Sequence, residues 1–221
     1  LPSLSYEHTT VGPDEWRVTA RMRALDLMRY APLPAALASE VLERVDCGDY
    51  LREKIAFSSA PWSRVPGYVL IPKGLTAPAP AVVALHCHGG YYLHGKEKLV
   101  AIERETPHLA QYKRDGYDGR SVADDLARRG YVVAVIDAFY FGERRFDFQQ
   151  LPEAQVKEMQ RRARYKTGVA GINEQYGLLE ELMARHIFAA GATWMGILAH
   201  DDRVTVDYLL TRPEVDPQRI G

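Results

Sequence analysis

The chain has 221 residues, with 28 Lys and Arg against 29 Asp and Glu, for a formal net charge of -1. That balance creates no global field toward nucleic acid or an anionic membrane, and no apolar run approaches the roughly 20 residues that span a bilayer. Hydrophobic residues make up 47% and charged residues 26%, an ordinary globular composition with enough length to bury a substantial core. Cys47 and Cys87 are the only cysteines. Two thiols are too few for a disulfide framework, so a reducing cytoplasm is the simpler expectation. The start, Leu1-Pro2-Ser3-Leu4-Ser5, lacks the basic and apolar regions of a secretory signal.

Pro13-Asp14-Glu15 opens a predicted helix, since proline suits the first turn and carboxylates suit the positive end of the dipole. Val18, Met22, Leu25 and Met28 give it an apolar stripe. Leu37, Val41 and Val45 predict a second helix after Pro32 and Pro34. Residues 1–46 are therefore expected to be an N-terminal helical extension, with the main domain over 47–221. Residues 50–58 and 65–71 read as strands of an antiparallel hairpin joined through Ala60-Pro61-Trp62-Ser63. Residues 81–85 form a short apolar run, as in a strand buried on both faces. Residues 91–119 show little periodicity and read as a long loop with at most one helical turn.

Ser121 and Asp124 then form a helix-start signal, and Gly130 closes that helix. Residues 131–136 are another buried strand, ending at Asp137. Strand, helix and strand in this order predict parallel pairing with a right-handed crossover. A charged helix is expected over 153–164 and a long helical stretch over 172–210. Pro213 to Pro217 ends it, and Gln218-Arg219-Ile220-Gly221 leads into one more buried strand.

The chemistry concentrates in Leu85-His86-Cys87-His88-Gly89-Gly90-Tyr91-Tyr92. An apolar strand running into His-Gly-Gly can turn backbone N–H groups toward a developing negative charge. A simple Gly-Gly turn after a strand is the plainer alternative. His86, His88 and His94 raise a metal reading, but Cys87 would point the other way and no carboxylate has ligand spacing. His86 is better read as a hydrogen-bonded core residue, and neither metal nor cofactor is implied. Asp137, at the carboxyl end of a strand, could touch substrate. The favoured reading is a turn cap, paired with Arg144 or Arg145.

Asp201 and Asp202 are adjacent on a helix and diverge, so a pairing of Asp202 with Arg203 or another arginine suits them better than acid/base work. Lys157, Arg161, Arg162, Arg164 and Lys166 read as a solvated helix face. Tyr92 and Tyr140 follow strands and either line a substrate pocket or anchor loops.

Four segments together carry a resemblance. They are Leu85-His86-Cys87-His88-Gly89-Gly90, the crossover from Asp124 to Val133, the turn from Asp137 to Arg145, and Arg212-Pro213-Glu214-Val215-Asp216-Pro217-Gln218-Arg219-Ile220-Gly221. In this order, residues 48–221 resemble an α/β-hydrolase, close to the acetyl xylan esterase and dienelactone hydrolase-like branch. The resemblance implies an α/β fold with a mostly parallel sheet flanked by helices. It also implies a serine-type carboxylic ester hydrolase working through an acyl-enzyme on a small-molecule ester such as an acetylated sugar.

On this resemblance Gly90 and Tyr91 supply oxyanion-hole N–H groups after the third strand-like segment, and His88 supports their loop. Tyr92, Asp137 and Tyr140 are the substrate-pocket candidates. The G-x-S-x-G elbow is expected about five residues beyond Gly221, with the acid and histidine later still. The rival readings are a non-catalytic binding or assembly module on the same fold, and an aminoacyl-peptidase-like hydrolase. No nucleic acid or membrane partner is expected. Homo-oligomerisation, the acyl and alcohol groups and the role of residues 1–46 are left open.

Overall fold

A computed structural model describes residues 5–163 and 168–221. Its strands are β1 (Glu40–Asp46), β2 (Tyr50–Ala60), β3 (Ser63–Pro72), β4 (Ala79–Val83), β5 (Val132–Ile136) and β6 (Val215–Ile220), in one sheet of order β1-β2-β3-β5-β4-β6. β1, β2, β3 and β5 pair antiparallel in succession, whereas β4 pairs parallel with both β5 and β6. The helices are α1 (Pro13–Met28), α2 (Pro107–Tyr117), α3 (Val122–Arg128), α4 (Glu153–Arg162), α5 (Gly168–Ala189) and α6 (Trp194–Leu209). The result is an α/β fold with a mixed sheet between helices.

β5 explains the arrangement. Its Val-Val-Ala-Val-Ile run is buried at every position and lies between β3 and β4. Alternation sends Val132, Ala134 and Ile136 to one face, with Phe57, Val69, Tyr208 and Leu209. Val133 and Val135 meet Tyr50, Leu70, Ala123 and Ala127 on the other. Each such buried aliphatic side chain contributes about 1.5–3 kcal/mol relative to exposure. Phe57 stacks on Tyr208 at 5.4 Å between ring centroids, seating α6 on the first face. Asp124 of α3, itself buried, accepts from the Tyr50 hydroxyl and from the Ala101 amide at 2.9 Å, fixing α3 to the second face.

Several expectations change. The second helix predicted from Leu37, Val41 and Val45 is absent, because Glu40–Asp46 is the edge strand β1. Pairing with β2 and an Arg44–Glu53 ion pair override the helical spacing, so the 1–46 extension is not wholly helical. α1 forms where predicted, yet its stripe does not enter the core: Val18, Met22 and Leu25 are all exposed. Its end is fastened where the Thr193 hydroxyl donates to the Met28 carbonyl.

The loop predicted over 91–119 contains α2, opened by Thr106, whose hydroxyl accepts from the Leu109 amide at 3.2 Å. The long helix predicted over 172–210 breaks into α5 and α6, at Gly191 with a φ of 78° and a Thr193 cap. β4 begins two residues before the predicted strand, and Leu85 beyond it is exposed rather than buried. No single helix among the described residues is long and apolar enough to cross a membrane.

Candidate active site

The carboxyl ends of the parallel strands β4, β5 and β6 open on one edge of the sheet, where α/β folds bind ligands. The loop leaving β4 makes a tight turn, with Tyr91 N–H donating to the His88 carbonyl at 3.4 Å. Gly89 (φ 56°) and Gly90 (φ 63°) hold its central positions, both in the left-handed region that only glycine adopts freely. The Gly90 N–H donates to His88 Nδ1 at 3.0 Å. The amides expected as open oxyanion donors at Gly90 and Tyr91 are therefore directed into their own turn in this conformation. The acceptors are the His88 side chain and the His88 carbonyl.

α5 grips this turn from outside. His88 Nε2 meets Glu180 at 2.9 Å, and the Tyr92 hydroxyl donates to the same carboxylate. The Tyr92 amide donates to Asn173 Oδ1 at 3.0 Å. Burial and then the Glu180 carboxylate push the Tyr92 hydroxyl above the usual phenol range. Tyr92 stacks on Phe141 with centroids 5.1 Å apart. A cavity of about 500 Å³ lies here, lined among others by Gly90, Tyr92, Asn173, Gly177 and Leu178.

Sequence reasoning missed Asn173 and Glu180. Their spacing of two helical turns on α5 was the available signal, with nothing in the sequence to pair it with His88. Tyr92 is among the residues lining this cavity. Tyr140 and Asp137 do not, since both are fully buried, and the Tyr140 hydroxyl donates to the Tyr176 carbonyl at 2.5 Å.

Asp137 instead clamps two loops together. It accepts from the Lys96 amide at 2.8 Å, Lys96 Nζ at 2.8 Å and the Glu143 amide at 2.9 Å. Burial works against the Lys96 charge, but Asp137 and Glu97 outweigh it and hold the ammonium above the usual lysine range. The cap reading stands; the expected arginine partner does not. Arg144 pairs with Asp201 at 2.7 Å and donates to the Asp137 carbonyl, while Arg145 donates to the Leu93 carbonyl. Burial and then Asp201 raise the neighbouring Asp202 to about 6.

His86 is hydrogen-bonded, with Nε2 accepting from the Ala138 amide at 3.1 Å. Burial, then the nearby Lys98, lowers it to about 4. Lys98 is itself buried, donates to the Cys87 and His88 carbonyls at 2.9 and 3.0 Å, and is lowered by that burial to about 8. The Cys87 thiol lies 2.8 Å from the Tyr112 hydroxyl and 3.0 Å from that of Tyr117. Burial raises it, but those hydroxyls and Lys98 prevail and leave it below the usual thiol range.

His94 sits beside Glu97, so the three histidines have separate partners. Among the described residues no His, Cys, Asp and Glu group has the layout of a metal site. In the basic cluster, Lys157 pairs with Glu153, and Arg161 and Arg162 pair with Glu158. Arg164 and Lys166 lie outside the described residues.

A model of the Abhydrolase family matches residues 2–166. A Bacillus subtilis (strain 168) protein, "Putative hydrolase YtaP", is 25% identical over 207 residues, which are 93% of this chain and 54% of that protein. A "putative acetyl xylan esterase" from Bacteroides fragilis NCTC 9343 has a similar structure, with a TM-score of 0.70 and 21% identity over 99% of this chain and 49% of the other. A glucuronoyl esterase from Solibacter usitatus gives a TM-score of 0.52 and 16% identity over 100% of this chain and 56% of the other. Identities this low speak to the fold, and the chain spans about half the length of these relatives. With the family match over most of its length and the sheet order described above, the chain belongs to the Abhydrolase family and has an α/β-hydrolase fold.

Proposed function

We propose that this protein is a serine-type carboxylic ester hydrolase acting through an acyl-enzyme. One observation carries the reading: β6 ends beside the exit of β4. Val83 N–H donates to the Gly221 carbonyl at 2.9 Å, and Gly221 N–H donates to the Ala81 carbonyl at 3.0 Å. A serine elbow following β6 would emerge against the His88–Tyr91 turn. The serine attacks the ester carbonyl, and a histidine takes its proton and returns it to the leaving alcohol. Gly90 and Tyr91 N–H groups hold the oxyanion once their turn opens, each such donor being worth roughly 3–4 kcal/mol.

The cavity beside Gly90 and Tyr92 accommodates the substrate, which we assign to small acyl esters such as acetylated sugars.

The test is a serine-reactive fluorophosphonate probe on the full-length protein, alongside turnover of a short acyl ester and a peptide anilide. Labelling of one serine and preference for the ester are expected. A folded protein that takes no label is instead a binding or assembly module. Faster turnover of the anilide marks a peptidase-like enzyme.

A further inference from the structure

The polar neighbours of His88, which include the Tyr92 hydroxyl 3.4 Å from Nε2, leave one assignment of its protons. Glu180 is a carboxylate that only accepts, and it faces Nε2 at 2.9 Å. The Gly90 amide only donates, and it faces Nδ1 at 3.0 Å. Nε2 therefore carries the proton and Nδ1 is bare. A Tyr92 hydroxyl bond to Glu180 and edge-on Phe141 and Tyr92 rings, with centroids 5.2 Å from that of His88, hold the imidazole in place. Lys98 reaches the same turn only through the Cys87 and His88 carbonyls. Glu180 thus has no contact with Gly90, yet it decides which His88 nitrogen can accept the Gly90 N–H.

We propose that Glu180 is a positioning residue: through His88 it clasps the Gly90 amide, withholding it from substrate until the turn opens. The proposal rests on the ester-hydrolase reading for its catalytic meaning and on geometry alone for the clasp. An N–H group has a single proton to donate. While His88 Nδ1 takes it, Gly90 cannot stabilise an oxyanion. The clasp comes from α5, so movement of that helix, or a substrate carbonyl competing for the Gly90 proton, would release the donor.

Nitrogen NMR of the 15N-histidine-labelled protein reads the His88 tautomer directly, and amide exchange reads the Gly90 bond. The wild type is expected to show His88 protonated at Nε2 and Gly90 exchange slowed. Glu180→Ala should speed Gly90 exchange and raise kcat for a short acyl ester by roughly three- to tenfold, the worth of about one amide hydrogen bond. Glu180→Gln, whose amide oxygen still accepts from Nε2, should restore wild-type behaviour. An Nδ1-protonated His88 in the wild type overturns the clasp whatever the variants do. So does a folded Glu180→Ala protein with unchanged Gly90 exchange or unchanged kcat. Absence of esterase turnover, with tautomer and exchange as expected, overturns the ester-hydrolase reading alone.

Discussion

Lys96 Nζ and Asp137 Oδ2 lie 2.8 Å apart with both side chains fully buried. One residue belongs to the loop after β4 and the other to the end of β5, so the pair joins the two segments that frame the candidate site. Two backbone amides, of Lys96 and Glu143, complete the carboxylate's shell. The packing around it is tight: a Cβ added at Gly142 would lie 2.4 Å from Asp137 Oδ1.

Breaking this pair should be severe. Asp137→Ala removes the acceptor of two buried amides and one of the three carboxylates around the Lys96 ammonium, leaving Glu97 and Glu143, and it is expected to cost about 2–4 kcal/mol. A fall in the urea midpoint checks this. A loss under 1 kcal/mol, well below that range, would mean that Glu97, Glu143 and water make good the lost carboxylate.

Gly89 and Gly90 should respond differently to alanine. Both have positive φ, so each substitution strains the turn. Only at Gly89 would the new Cβ also collide, 1.8 Å from the Tyr112 hydroxyl, whereas Gly90 faces open space. Gly89→Ala is therefore expected to lower the melting temperature more than Gly90→Ala. Equal shifts would show that Tyr112 yields without cost.

Acid should weaken the fold through His86. Its folded value of about 4 lies below its ordinary value of 6.5, so the unfolded chain binds more protons between those limits. Stability from this group is intact above about pH 6.5 and is lost as pH falls toward 4. His86→Gln should flatten the loss of stability over that window in urea melts at stepped pH. An unchanged slope would place the acid sensitivity elsewhere.

Lys98 should act in the alkaline range. Its folded value of about 8 lies below 10.5, so the unfolded chain again holds the proton longer. The penalty of burying this charge is complete below about pH 8 and disappears as pH rises to 10.5. Lys98→Met should thus gain more stability over the wild type at pH 7 than at pH 10. The comparison is made by denaturant titration at both pH values. A pH-independent difference would count against a depressed Lys98.

Much of the frame was legible in the residues. Val132 to Ile136 reads as a buried strand because every position is apolar and β-branched or small, and it is one. Pro13-Asp14-Glu15 announces α1, and the Ser121 start announces α3. Where reading failed, a local signal was overruled or passed over. Val41 and Val45 have helical spacing, but the open edge of β2 captures them as β1. Thr106-Pro107 is a helix start that the polar composition of the surrounding loop obscured.

The sequence by itself determined strands β2 to β5, helices α1 and α3, the parallel crossover and the glycine turn after β4, since each rests on neighbours a few positions apart. The tertiary structure decided the chemistry of that turn. Lys96 meets Asp137 across 41 positions of chain and His88 meets Glu180 across 92. Local periodicity is silent at such separations. Only packing of the loops and α5 at the sheet edge brings these groups within hydrogen-bonding reach, and burial then sets how tightly each holds its proton.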